Sequence, residues 1–246
     1  MLQDIKQLYG RKLGATDGDI GHVKDFYFDD ATWTIRYLVA DTGDWLAERQ
    51  VLLSTHAFGT PAYGATDADS DLLHTNQTRK QIEDSPPIDT HLPVSRQYEE
   101  AYHRYYGWPP YWQVGGMLST AGFATIPPPP LPGDLPHHGH NQREDLHLRS
   151  TKALTGYHIQ ATDGKIGSVS SFIVNEQDWR IRELVIETGH WYAGKTILLF
   201  PEAITRISYE DSTVFVNLAM EDIRQTAKHG IALATAGDHT LEGNDK

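Results

Sequence analysis

Residues 15–21 read Ala-Thr-Asp-Gly-Asp-Ile-Gly, and residues 161–167 read Ala-Thr-Asp-Gly-Lys-Ile-Gly. Working outward from this pair, a shift of 146 positions superposes residues 2–58 on 148–204 without a gap, with 24 identities in 57 positions. Phe26 matches Phe172, and Trp33-Thr34-Ile35-Arg36-Tyr37-Leu38-Val39 matches Trp179-Arg180-Ile181-Arg182-Glu183-Leu184-Val185. Asp41-Thr42-Gly43-Asp44-Trp45 matches Glu187-Thr188-Gly189-His190-Trp191. A repeat of this period is a duplicated structural unit and has to be read before any local element.

Within each copy the residues read as β structure. Asp17-Gly18 and Asp163-Gly164 are two-residue hairpin signals, expected as type I′ turns with positive φ at both positions. Strands are expected at about 11–16, 20–28, 34–41, 48–53 and 71–75, with counterparts in the second copy. Short strands at this spacing suggest a small barrel or sandwich. Each copy should close with a short helix. In the first, Thr78 and Gln81 form a capping box, and Pro86-Pro87 stops the chain. In the second, residues 220–228 are helical, with Gly230 as terminator. The expected boundaries are 1–84 and 147–230 for the two copies, 85–146 for a connector and 231–246 for a tail.

The connector differs in composition. Eleven of the 13 prolines lie between Pro86 and Pro136, four of them consecutive at 127–130, which reads as a polyproline II spacer. Before it, Ser95 as N-cap and Gly107 as terminator bracket a helix whose stripe is expected at Tyr98, Ala101, Tyr102 and Tyr105.

These residues resemble the PRC-barrel family. The resemblance rests on Asp-Gly-x-Ile-Gly-x-Val, the strand after it, and the Asp/Glu-Thr-Gly-x-Trp turn leading into Val51-Leu52-Leu53 or Ile197-Leu198-Leu199. Val94-Ser95-Arg96-Gln97-Tyr98-Glu99 with Tyr105-Tyr106-Gly107-Trp108-Pro109-Pro110-Tyr111-Trp112 is similar to the tail of bacterial tandem proteins of that family. The resemblance implies a mainly β fold. It consists of two small PRC-type β-barrels in tandem, each followed by a short helix, joined by a helix and a Pro-rich linker. It also implies a non-enzymatic protein–protein contact module. Such barrels form the cytoplasmic part of the photosynthetic reaction-centre H subunit and the C-terminal domain of a ribosome maturation factor. The chain lacks the membrane helix of the first and the companion domain of the second. A cytoplasmic protein, peripheral to a membrane electron-transfer assembly, is the expectation that follows.

Composition narrows the chemistry. With no Cys, thiolate metal sites, disulfides and Cys nucleophiles are excluded. The net charge of −12 is spread along the chain, opposite in sign to the basic stripe that nucleic acid requires. No apolar run reaches the roughly 18 residues of a membrane-spanning helix. Asp41-Thr42-Gly43 mimics an aspartic-protease signature, but its counterpart is Glu187-Thr188-Gly189, and both read as strand-end turns whose Gly takes positive φ. Asp17, Asp19 and Asp25 lack the loop of a Ca²⁺ site.

Two candidate sites remain. Tyr98, Tyr102, Tyr105, Tyr106, Trp108, Tyr111 and Trp112 form an aromatic segment suited to packing on the chain's own barrel or to contact with a protein partner or a second copy. His137, His138 and His140 form a metal-like cluster in the linker. The alternative function is therefore small-ligand or metal binding, in the inter-barrel cleft or at this cluster. No cofactor is expected.

Overall fold

The computed structural model describes residues 1–46, 50–58, 72–86, 96–110, 148–189 and 194–228. The fold is mainly β, organised as two compact units, each assembled from separate stretches of chain. The N unit comprises Gln7–Thr151 with Glu176–Trp179. The C unit comprises Met1–Lys6, Lys152–Asn175 and Arg180–Lys246.

The elements are β1 (Leu2–Asp4), β2 (Lys12–Ala15), β3 (Gly18–Asp29), β4 (Thr34–Asp41), β5 (Gln50–Ser54), β6 (Leu72–His74), α1 (Arg79–Glu83) and α2 (Arg96–Tyr106). They continue with β7 (Leu148–Ser150), α3 (Thr151–Leu154), β8 (His158–Gln160), β9 (Lys165–Asn175), β10 (Arg180–Thr188), β11 (Thr196–Leu199), β12 (Ile204–Ser208), β13 (Thr213–Val216) and α4 (Met220–Lys228). In the N unit the strand path is β5-β4-β3-β2-β6, with β7 added to the far end of β3. In the C unit it is β11-β10-β9-β8-β13-β12, with β1 added to β9. Closed barrels were the expectation; among the described residues neither path closes on itself. The outer strand β12 keeps its edge polar, and its Arg206 guanidinium lies 4.2 Å over the Phe215 ring, a charge where an open edge would otherwise invite pairing.

The sequence motif has a steric meaning. A methyl group built on Gly21 would lie 2.0 Å from the carbonyl oxygen of Asp41, and one on Gly167 would lie 2.0 Å from that of Glu187. The glycine of Ile-Gly is thus the point where the long strand passes directly against the Asp/Glu-Thr-Gly backbone, and any side chain would part them. The Asp-Gly pair acts differently from the expected type I′ turn. Neither Asp17 nor Asp163 has positive φ. Their carboxylates instead accept the first amides of the closing helices, Arg79 N at 2.7 Å and Met220 N at 2.9 Å, satisfying donors that a helix start leaves open. The capping box of Thr78 and Gln81 is present as read. Gly43 takes φ +56°, whereas in the second copy Gly194, not Gly189, carries the positive φ.

Trp33 and Trp179 both sit in the left-handed region, at φ 54° and 56°, a conformation that costs a non-glycine residue about 1–3 kcal/mol. Ring packing offsets it. Trp33 stacks on Phe28 at 5.2 Å, and Trp179, also in the N unit, lies 6.0 Å from Phe58.

The leading strands are exchanged between copies. β7 begins the second copy yet pairs with β3 of the first, in the register Tyr27↔Ser150 and Asp29↔Leu148. β1 begins the first copy yet pairs with β9 of the second, as Ile173↔Asp4 and Asn175↔Leu2. The two registers are identical once the shift of 146 is removed. One polar pair marks each junction with its roles reversed. Ser150 Oγ donates to Asp25 at 2.5 Å, while the hydroxyl of Ser171, at the position of Asp25, donates to Asp4, at the position of Ser150. Pairing each strand with its own copy would set Asp4 against Asp25 and Ser150 against Ser171. The serine–aspartate reversal therefore favours exchange by leaving no carboxylate facing another.

Two outcomes follow. Gly167→Ala should destabilise the chain by at least about 2 kcal/mol in urea unfolding followed by circular dichroism, since backbone rather than a flexible side chain must yield. Ser171→Asp should cost about 2–4 kcal/mol by placing a second carboxylate against Asp4. The double change Asp4→Ser/Ser171→Asp should recover most of that loss, because it rebuilds the Ser150–Asp25 arrangement; strictly additive losses would refute the pairing.

Candidate functional site

The aromatic segment and the first copy meet on one face of the N unit. Tyr37 and Val39 on β4 and Leu52 on β5 form a cluster with Leu148 of β7, and Tyr102 of α2 fills it; Tyr27, Tyr106 and Trp108 pack around its rim. Val39 pairs with Leu52 across the β4–β5 ladder, so the two side chains emerge together. Tyr102 stands edge-on to Tyr37 at 5.7 Å. Its hydroxyl donates to Leu52 O at 2.7 Å and accepts from Ser54 N at 3.2 Å, tying α2 to the outer strand.

The helix buries a different stripe from the one expected. Glu99, Tyr102 and His103 are buried and Tyr106 half-buried, a 99-102-103-106 face, while Tyr105 is 41% exposed. The reading from aromatic positions missed it because two of its residues are polar. Both bond to a tyrosine of the sheet. Tyr37 Oη lies 2.9 Å from Glu99 Oε1 and 3.1 Å from His103 Nε2. His103 Nδ1 lies 3.2 Å from Pro109 O. A carbonyl can only accept, so Nδ1 carries the ring hydrogen and Nε2 is an acceptor. The phenol hydrogen of Tyr37 thus serves two acceptors at once. Burial, with His56 and Arg36 nearby, pushes His103 down to about 4. His56, whose ring lies 6.3 Å from that of His103, is lowered by burial and by Arg36.

The aromatic residues outside this core are layered. Tyr106 stacks on Trp108 at 4.6 Å, and Trp108 lies 5.9 Å from His56. The hydroxyls of Tyr105 and Tyr106 both donate to Gln81 O, at 3.1 and 3.3 Å, linking α2 to α1. Gly107, at φ +70°, ends the helix as expected. Of the candidate residues, Tyr102 is core, Tyr106 and Trp108 are rim, and Tyr105 presents its ring outward. Tyr98 lies on α2 but its side chain is outside the described set, as are Tyr111, Trp112, His137, His138 and His140.

Beside the Tyr37–His103 pair is a shallow recess lined by Arg36, Tyr37, Ser54, Thr55, His56 and His103, with no enclosed space for a ligand, unlike a formed small-molecule site. Among the described residues no three His, Asp or Glu side chains gather as a metal site. Asp17 and Asp25 have separate structural partners. Asp41 accepts from Gly43 N at 3.1 Å, the bond of a turn.

Sequence reasoning overlooked Tyr37, Glu99, His103 and His56. One signal was present: the otherwise identical runs 35–39 and 181–185 carry Tyr37 in the first copy and Glu183 in the second.

Residues 5–82 match the family model of the PRC-barrel domain. The match covers most of the first copy and ends before α2. No curated protein matches the chain.

Because His103 is held neutral, with a folded value below that of the free side chain, the unfolded chain binds more protons between about pH 6.5 and 4. Stability from this group is therefore complete above about pH 6.5 and is lost as pH falls through about 4, a decline of up to about 3 kcal/mol. His103→Gln, which retains a donor and an acceptor without titrating in this range, should flatten this part of the profile of urea midpoint against pH; an unchanged slope would show that His103 does not set it.

Proposed function

We propose that this chain, which carries a PRC-barrel domain over residues 5–82, is a non-enzymatic protein–protein interaction module. The observation that carries the reading is the division of labour on α2. One face of the helix is consumed in holding it to the domain, and the Tyr105 ring, 41% exposed, is left outward beside half-buried Tyr106 and Trp108. An aromatic with a rigid body and a polar tip is the residue type enriched at protein contacts. The helix lies beyond the residues matched to the domain.

The polar groups beside α2 support a structural over a catalytic role. Tyr37, Glu99 and His103 are engaged with one another, with the His103 ring also bonded to Pro109. Nucleophile, base and substrate space do not converge there. We further propose seating at the periphery of a membrane assembly. The support is the resemblance to the reaction-centre H subunit; no helix among the described residues is long and apolar enough to cross a membrane.

Photo-crosslinking tests the reading. A benzoylphenylalanine at position 105 should give a discrete protein adduct in native membranes or extract. The same group at Tyr209, similarly exposed at 46% in the C unit, should not give that adduct. Equal labelling from both positions, or none from 105, would contradict an interaction surface on α2.

A further inference from the structure

The duplication supplies a comparison inside one molecule. The face that α2 covers in the N unit is built from Tyr27, Tyr37, Val39, Leu52, Ser54 and Leu148; the positions 146 residues away are Ile173, Glu183, Val185, Leu198, Phe200 and Leu2 in the C unit. The backbone there has the same register, with Val185 opposite Leu198 as Val39 is opposite Leu52. Exposure differs sharply. Leu148 is 4% exposed and Leu2 58%, Ser54 is 2% exposed and Phe200 46%. Val185 and Leu198 are half-buried where Val39 and Leu52 are buried. No described residue of the C unit covers this face in the way α2 covers its counterpart. Apolar side chains left open to water together on one sheet face mark a contact surface rather than ordinary exterior.

We infer that this face of the C unit docks an aromatic, amphipathic helix of a partner protein, one that presents a Lys or Arg where α2 presents Glu99. The replacement of Tyr37 by Glu183 selects the occupant. Tyr37 donates a hydrogen bond to Glu99, whereas Glu183 can only accept once ionised. A helix bearing Glu at that position would set carboxylate against carboxylate in an apolar interface, and a cation there would pair it. This argues against α2 of a second copy. Glu183 is already partly withdrawn from water, and burial raises its pKa, so a partner's cation would meet a carboxyl short of solvation. The surface is distinct from the Tyr105 rim, so failure here leaves the crosslinking result at 105 standing, and the reverse.

The probe is a labelled peptide of residues 95–110, made with Glu99 and with Glu99→Lys, titrated against the full chain by fluorescence anisotropy. The Lys peptide should bind at least ten-fold more tightly than the Glu peptide. Phe200→Asp, a change at an exposed position, and Val185→Asp should each weaken it at least ten-fold. Glu183→Tyr should reverse the preference, because it recreates the Tyr37–Glu99 pair. Binding insensitive to Phe200→Asp, a preference unmoved by Glu183→Tyr, or no saturation at millimolar peptide would overturn the proposal. So would a dimer that Phe200→Asp dissociates in sedimentation, which assigns the face to a second copy. Peptide binding that appears only after removal of residues 231–246 or 113–146 would assign it to the chain itself, with the same consequence.

Discussion

The contact between Gly21 and the carbonyl of Asp41, repeated by Gly167 and Glu187, is the constraint on which the rest of each unit rests. It leaves no volume for a methyl group, so the long strand and the turn after the next strand must lie backbone to backbone. From that point β3 runs on to Asp29, pairing β2 at its start, β4 along most of its length and β7 at its end. A strand with three partners has to bend, and irregularities between Val23 and Asp25 and between Tyr27 and Phe28 show where it does. The bend is what gives so short a chain segment enough curvature to enclose Phe26, Phe28, Ile35 and Leu38, all fully buried.

Much of this was legible in the sequence because it depends on local chemistry. Strands at 12–15, 18–29, 34–41, 50–54 and 72–74 fall where alternation and turn residues put them, and Thr78 caps α1 as its spacing indicated. The chain reversal at the Asp-Gly pair was legible, but not as the type I′ turn expected there, and the role of its carboxylate was hidden. Asp17 acts on an amide 62 residues away, and no local pattern encodes that distance. The strand exchange was hidden for a related reason. Leu2 and Leu148 occupy the same place in the repeat, and self-comparison aligns copies without saying which copy a strand joins. Only the reversed Asp4–Ser171 and Ser150–Asp25 pairs carry that information, and they look like ordinary divergence until the pairing is known.

The helix face was partly illegible because aromatic residues are a biased guide to burial. The buried stripe includes Glu99 and His103, which bond to Tyr37 and, through the His103 ring, to Pro109. Polar groups bonded to one another can sit where apolar residues are expected, and they specify one docking geometry more sharply than apolar packing alone. Tyr105, by contrast, lies in the aromatic run but points away from the core. Aromatic content marked the right helix and, in Tyr102 and Tyr106, half of its buried face, but not the polar half.

Divergence between otherwise matching copies is therefore the more informative signal for function. Positions kept in both copies, such as Gly21 and Gly167 or Asp17 and Asp163, serve the backbone and the helix caps. Positions that differ show what each unit must accommodate. Tyr37 donates to a helix supplied by the same chain, and its neighbours are buried; Glu183 holds the equivalent place with Val185 and Leu198 half-open to water and Phe200 exposed. Had the second copy merely lost a covering helix, the inexpensive replacement on a solvated strand would have been polar throughout. It instead carries leucine, valine and phenylalanine around a single acid, a combination that costs solvation free energy when left bare and is stabilising when a complementary cation and apolar surface arrive together.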